Sequence, residues 1–366
     1  MELYASRQAA LGRILAEDGL SAYLAHHPVS VSYLTGYDEN PGERFFALAL
    51  HPSAPMHLIC PALSVNQAQR AGITSLDALK DGESPEPAVR ALAERAGWHG
   101  KIAVDDEMPA ALLLKLQAML PEITFVSGST SLAKLMRAKD DAELAALTKA
   151  GEIADQTFEA IKGELKIGMT ELEIARRLAE LMAERGGVPT FGIVGISAGG
   201  AEPHHHNGDA TLSQGDLLLM DFGCTYGGYF SDITRMVSIG EPFDSEANQV
   251  YDVVYRAHMA ARALIKPGVT AGELDAAARS VIEEAGYGEL FSHRTGHGVG
   301  RKIHEDPYIM PGSSEVLTTG DCFSIEPGIY LAGRFGVRIE NLVTVTPEGH
   351  RSFNVDPSPT LERVVL

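Results

Sequence analysis

In the stretch LLLMDFGCTYGGYFSDITRMV (217–237), an apolar strand-like run ends in Asp221, a Tyr-Gly-Gly turn follows, and a second strand-like run carries Asp232. Strand side chains alternate between faces with period two. A turn at Tyr226-Gly227 sets the two aspartates opposite each other, and one at Gly227-Gly228 makes them diagonal neighbours on one face. A three-residue loop would break that parity. Like charges across strands destabilise a sheet; buried, they force a proton onto one carboxyl or recruit a cation. The alternative is an exposed hairpin with solvated acids. Further motifs weigh toward the cation. RTGHGVGRKIHEDP sets His297 between glycines, which let backbone approach a site closely, and FSIEPGIY and FGVRIENLV place Glu326 and Glu340 beside apolar strand residues. Four carboxylates and one imidazole form a hard, oxygen-rich donor set. Their four negative charges balance two divalent cations, and metals about 4 Å apart can share a hydroxide and hold both ends of a hydrolytic transition state.

Elements must bring these residues together. The first part of the chain alternates segments of helical spacing (SRQAALGRILAEDG, EPAVRALAERAG, ALLLKLQAML) with short apolar runs (AYLA, VSYLTGY, FFALAL, MHLIC, KIAVDD, ITFVSG). Such alternation predicts a small α/β domain. SGSTS (127–131) marks its end, because a long charged helical pattern follows from Lys139 to Ile161. The second part repeats itself: KIGMTELE carries Lys166, Gly168, Thr170 and Glu173, and KPGVTAGE carries Lys266, Gly268, Thr270 and Glu273. Thr followed three residues later by Glu is a capping box, so each copy opens a helix. After the first copy come His204, Asp221 and Asp232, and after the second His297, Glu326 and Glu340. The pattern predicts a pseudo-twofold domain whose halves each deliver a histidine and two acids to one site.

Asp221, Asp232, His297, Glu326 and Glu340, in that order, resemble the five metal ligands of the pita-bread metallopeptidases, the family of prolidase, aminopeptidase P and methionine aminopeptidase. The first part, with VSYLTGY as its best match, resembles the creatinase-type amino-terminal domain of prolidases and aminopeptidases P. The resemblance implies an α/β creatinase-like domain at residues 1–131 and an α+β pita-bread catalytic domain at 132–366. It implies two divalent metal ions, manganese by family analogy, with cobalt or zinc also fitting such ligands. Asp221 would then be a terminal ligand of one metal, His297 and Glu326 terminal ligands of the other, and Asp232 and Glu340 the bridges. Glu326 would accept the proton of the attacking water, and His204 in EPHHHNG and His304 in KIHEDP would steady the substrate.

The resemblance also implies hydrolysis of the bond before proline in Xaa-Pro dipeptides, with aminopeptidase P as the alternative. Prolidases often carry an arginine on the loop between the second histidine motif and the first glutamate. Here that loop reads EDPYIMPGSSEVLTTGD and has none, so another arginine must meet the substrate carboxylate. Arg44 in DENPGER, delivered from the partner in a homodimer, is the first candidate, and Arg338, two residues before Glu340, the second, with fixing a bridging carboxylate as its other reading. His293 either lines a proline pocket or packs behind it. A metal-free peptide- or protein-binding relative is disfavoured, because such proteins typically lose ligands and all five are present.

Composition bounds the remaining classes. The chain has 366 residues, a net charge of −19 and three widely spaced cysteines, Cys60, Cys224 and Cys322. The acidity repels phosphate backbones and argues against nucleic acid. The cysteines suggest neither a disulfide framework nor a zinc knuckle. With no signal pattern and no membrane-length apolar run, a cytoplasmic protein with no membrane partner is expected.

Overall fold

The computed structural model describes residues 2–366. The chain divides after Met136, and each of the two units has its own core. In the first unit, a six-stranded mixed sheet runs in the order Leu76–Leu79, His57–Pro61, Ala47–Leu50, Ala22–Ala25, Lys101–Val104, Thr124–Ser127. Period-two alternation builds two apolar layers. Tyr23 and Ala25 join Leu11 and Leu15 of helix Glu2–Glu17 on one face, while Ala22 and Leu24 join Leu112 and Leu116 of helix Ala110–Met119 on the other.

Two details differ from the sequence expectation. VSYLTGY, grouped above with the short apolar runs, lies mostly within helix Pro28–Thr35: Pro28 pre-sets the first turn, the His27 side chain caps the Val29 N–H, and Gly36 closes the helix at φ 74°. The SGSTS segment is followed by no linker but leads into helix Ser129–Met136, whose Leu132 and Met136 pack into the first core. The division therefore falls after Met136 rather than at Ser131.

The second unit is built twice over. Helices Asp141–Lys162 and Glu171–Glu184 precede three antiparallel strands of one sheet, to which Glu362–Val364 adds a parallel edge, and Ala247–Leu264 and Ala271–Glu284 precede a second, antiparallel sheet. Thr170 and Thr270 both cap their helices in reciprocal capping boxes with Glu173 and Glu273. Gly168 and Gly268 sit at φ 87° and 90°, and their N–H groups donate to Leu212 and Leu317 at 2.8 and 2.9 Å. Asp216 and Asp321 each accept from a backbone N–H three residues earlier, Ser213 and Thr318, at 2.8 Å. The first half pairs Val188–Ile196, Leu217–Tyr226 and Ile233–Ile239 side by side; the second pairs Gly296–Gly298, Cys322–Ile325 and Asn341–Thr346. Among the described residues no helix is long and apolar enough to cross a membrane.

Candidate metal centre

The first hairpin turns at Gly227-Gly228, with φ 59° and 81°, since Tyr226 pairs with Tyr229 and Thr225 with Phe230. Positive φ at both central residues is the turn whose twist suits a hairpin. Asp221 consequently faces Thr234, and Asp232 is its diagonal neighbour, in the second of the two registers considered above. In the second hairpin Ile325 pairs with Asn341 and Gly328 with Arg338. The same register carried through the intervening break sets Glu326 against Glu340.

These four acids, with His297, His204 and His304, line one cavity of about 910 Å³. One ligand atom from each of Asp232, His297 and Glu340 lies within 4.8 Å of the other two. His297 Nε2 is 3.2 Å from Glu326 Oε1 and 3.7 Å from Asp232 Oδ2. Its Nδ1 lies 3.2 Å from the Gly298 carbonyl, which can only accept, so the proton sits on Nδ1 and Nε2 faces the acids with a free lone pair. Burial pushes His297 down to about 3, so it stays neutral. His304 stacks edge-on against it with centroids 4.2 Å apart.

The acids are held from behind. Arg338 donates to Asp221 Oδ2 at 2.6 Å, to Tyr330 Oη at 2.9 Å and to Thr234 Oγ1 at 3.1 Å. Thr234 in turn donates to Glu340 Oε2 at 2.7 Å, and Ser324 to Glu326 Oε1 at 3.0 Å. That leaves Asp221 Oδ1 and Glu340 Oε1 buried with no hydrogen-bond donor among the described residues. An unsatisfied buried carboxylate oxygen is costly. Burial, followed by mutual repulsion, raises Asp232 and Glu340 well above the usual carboxylate range. Glu326 rises to about 7, chiefly by burial, with Arg338 opposing the rise. Crowded acids, two orphaned oxygens and a neutral imidazole aimed among them fit a divalent-cation site, since cations satisfy the oxygens and relieve the repulsion.

His204 reaches the cavity on a braced loop. The buried Glu171, first residue of its helix, accepts from Gly208 N at 2.8 Å and Ile196 N at 2.9 Å, and lies 2.8 Å from His205 Nε2. Asn207 is tied to the Gly192 carbonyl and the Val194 N–H, both at 2.8 Å.

Of the three residues expected to meet the substrate, two line the cavity. Arg338 lines the cavity with each of its three nitrogens bonded, to Thr234, Tyr330 and Asp221, so it braces Asp221 from behind. His293 also lines the cavity, yet its Nδ1 donates to the Arg294 carbonyl at 2.7 Å, so its Nε2 accepts from Tyr330 Oη at 2.8 Å. Only its ring face remains for a substrate. Arg44 lies on the surface of the first unit, paired with Asp81 at 3.0 Å. The pseudo-twofold repeat also differs in one respect: His297 stands two residues after Thr295, whose carbonyl pairs with Glu326, whereas the matching residue two beyond Ile193, the partner of Asp221, is Gly195 and not His204.

The sequence reading missed Thr234, Ser324, Tyr330 and Arg294. Thr234 and Ser324 were within reach of period two, each standing two positions from an acid of the site, Asp232 and Glu326. Tyr330 is brought in only by the second hairpin.

Comparison with known proteins gives the family. Residues 145–347 match the model of metallopeptidase family M24, and residues 7–139 that of the creatinase/prolidase N-terminal domain. The chain is 41% identical over 363 residues to a probable dipeptidase PepE of Mycobacterium tuberculosis, covering 97% of this chain and 96% of that protein. It is 36% identical over 339 residues to an Xaa-Pro dipeptidase of Lactobacillus helveticus, covering 91% and 92%. The crystal structure of a recombinant prolidase from Thermococcus sibiricus superposes with a TM-score of 0.93 at 33% identity, covering 98% and 99%.

Proposed function

The chain belongs to metallopeptidase family M24, and from that premise we propose that it hydrolyses the bond before proline in Xaa-Pro dipeptides with two divalent metal ions bound. The observation that carries this reading is the convergence of Asp221, Asp232, His297, Glu326 and Glu340 on one cavity, with Asp221 Oδ1 and Glu340 Oε1 lacking donors. The similarity to an Xaa-Pro dipeptidase and a prolidase supports the substrate class. Asp221 would hold one ion, His297 and Glu326 the other, and Asp232 and Glu340 both. When bound, the ions supply Lewis acidity toward water and the scissile carbonyl.

The chain's own residues do the rest. Glu326, which lines the cavity 3.2 Å from His297 Nε2 and is oriented by Ser324, would take a proton from water and return it to the leaving proline nitrogen. His304 and His204 line the cavity and would donate to charge developing on the carbonyl oxygen. Arg338 and Thr234 keep Asp221 and Glu340 oriented throughout. Manganese is the proposed metal, in keeping with the oxygen-rich donors. Three free, buried cysteines are compatible with a cytoplasmic location, and a homodimer completes the proposal. Turnover of Xaa-Pro dipeptides against Xaa-Pro tripeptides, with manganese supplied, tests the reading. Dipeptides should be cleaved faster; faster tripeptide cleavage would replace it with aminopeptidase P.

A further inference from the structure

Two guanidinium groups line the cavity, those of Arg338 and Arg294. Arg338 is consumed by Asp221, Tyr330 and Thr234. The Arg294 side chain has no hydrogen bond or ion pair among the described residues and rests on the ring of Tyr308, its Cζ 4.6 Å from the centroid. A guanidinium stacked in this way keeps its N–H edge available, and its bidentate fork matches a carboxylate. Its backbone is anchored. The Arg294 carbonyl accepts from His293 at 2.7 Å, and Thr295 bonds Asp275 Oδ1 through its hydroxyl at 2.8 Å and meets Glu326 N through its carbonyl at 2.7 Å. Tyr308 itself belongs to the EDPYIM segment, where the sequence offers no arginine; Arg294 brings a guanidinium to that segment from a neighbouring stretch of chain.

We propose that Arg294 binds the terminal carboxylate of the dipeptide substrate and so sets the preference for dipeptides. The proposal rests on the peptidase reading above. A substrate ending in a carboxylate must give up its hydration to enter this cavity, and a guanidinium with its N–H edge available replaces that hydration with charge-assisted hydrogen bonds; a peptide whose proline carbonyl is an amide carries no such charge.

The test uses the full-length, manganese-loaded protein, an Xaa-Pro dipeptide and its carboxy-terminal amide. In Arg294→Met, which keeps an apolar stem on Tyr308, KM for the dipeptide should rise about 10- to 150-fold, the range for a charge-assisted hydrogen bond, with kcat changing far less. KM for the amide should change less than about twofold, and bound metal per chain should not change. Inhibition by free proline should weaken in parallel while that by prolinamide does not, and Arg294→Lys should restore part of the effect. Equal losses on acid and amide would overturn the proposal, as would an unchanged KM in Arg294→Met alongside a raised one in Arg44→Ala. If metal-loaded wild type cleaves neither substrate, the peptidase reading fails first and the assignment of Arg294 with it.

Discussion

The two halves of the second unit follow the same path down to single hydrogen bonds, yet they place different residues at matching positions. Counting along the strands from Asp216 and Asp321, Asp221 matches Glu326, and both are acids that line the cavity. The next matches diverge. Thr234, opposite Asp221, corresponds to Glu340, opposite Glu326. Asp232 corresponds to Arg338, and Gly195 to His297. The paired halves then complete each other: Arg338 of the second clamps Asp221 of the first, and Thr234 of the first clamps Glu340 of the second. A repeated frame supplies a concave meeting place, and asymmetry at matched positions supplies chemistry. A strictly symmetric site with acids at all these positions would add charge without an orienting cation or a neutral imidazole.

The largest break in this comparison comes from removing an acid proposed to serve both ions. Glu340→Ala, and equally Asp232→Ala, should lose most bound metal and lower turnover by more than about a thousandfold, beyond the loss of a single transition-state donor. Elemental analysis and initial rates on the purified variants check this. His304→Ala should keep its metal and lose about a hundredfold in kcat; loss of metal instead would make His304 a ligand or a structural support.

Arg338 occupies the position matching an acid, so its replacement tests whether the asymmetry matters. Arg338→Met should weaken metal affinity about 10- to 100-fold, the usual effect of removing a group that orients a ligand, measured by competition with a chromophoric chelator.

The smallest effect concerns stability rather than catalysis. His258 stands eight residues before Lys266, as Phe158 stands before Lys166. It is fully buried, donates Nδ1–H to the Ile325 carbonyl at 3.1 Å, and has no partner at Nε2 among the described residues. Burial, with Arg262 and Arg235 nearby, holds it well below its ordinary value, so it is neutral when folded. The unfolded chain binds its proton near pH 6.5, so its contribution to stability is complete above that pH and lost below it, at about 1.4 kcal/mol per pH unit. His258→Leu should remove that component of the slope between pH 6.5 and 5.5 in denaturant titrations, whatever it does to stability at pH 7.5.

Much of this was legible in the chain itself. Periodicity, capping boxes and the glycine turn give the α/β first unit, the duplicated second unit and the shared face of Asp221 and Asp232, because each is a local rule. What was not legible depends on contacts between the halves. An arginine two residues before Glu340 reads equally well as a substrate group or a support, and only the fold shows Arg338 spent on Asp221, Tyr330 and Thr234. Arg294 was passed over for the opposite reason: its side chain has no partner among the described residues except the Tyr308 ring, which no spacing rule reports.

The central claim is that the acids of the two halves jointly hold two cations that the hydrolysis needs. Chelator-stripped wild-type protein titrated with manganese, with bound metal and Xaa-Pro dipeptide turnover followed together, tests it most directly. Two ions should bind per chain, and turnover should rise with them from a metal-free baseline near zero. Saturation at one ion or none, or full turnover by the stripped protein, would contradict it.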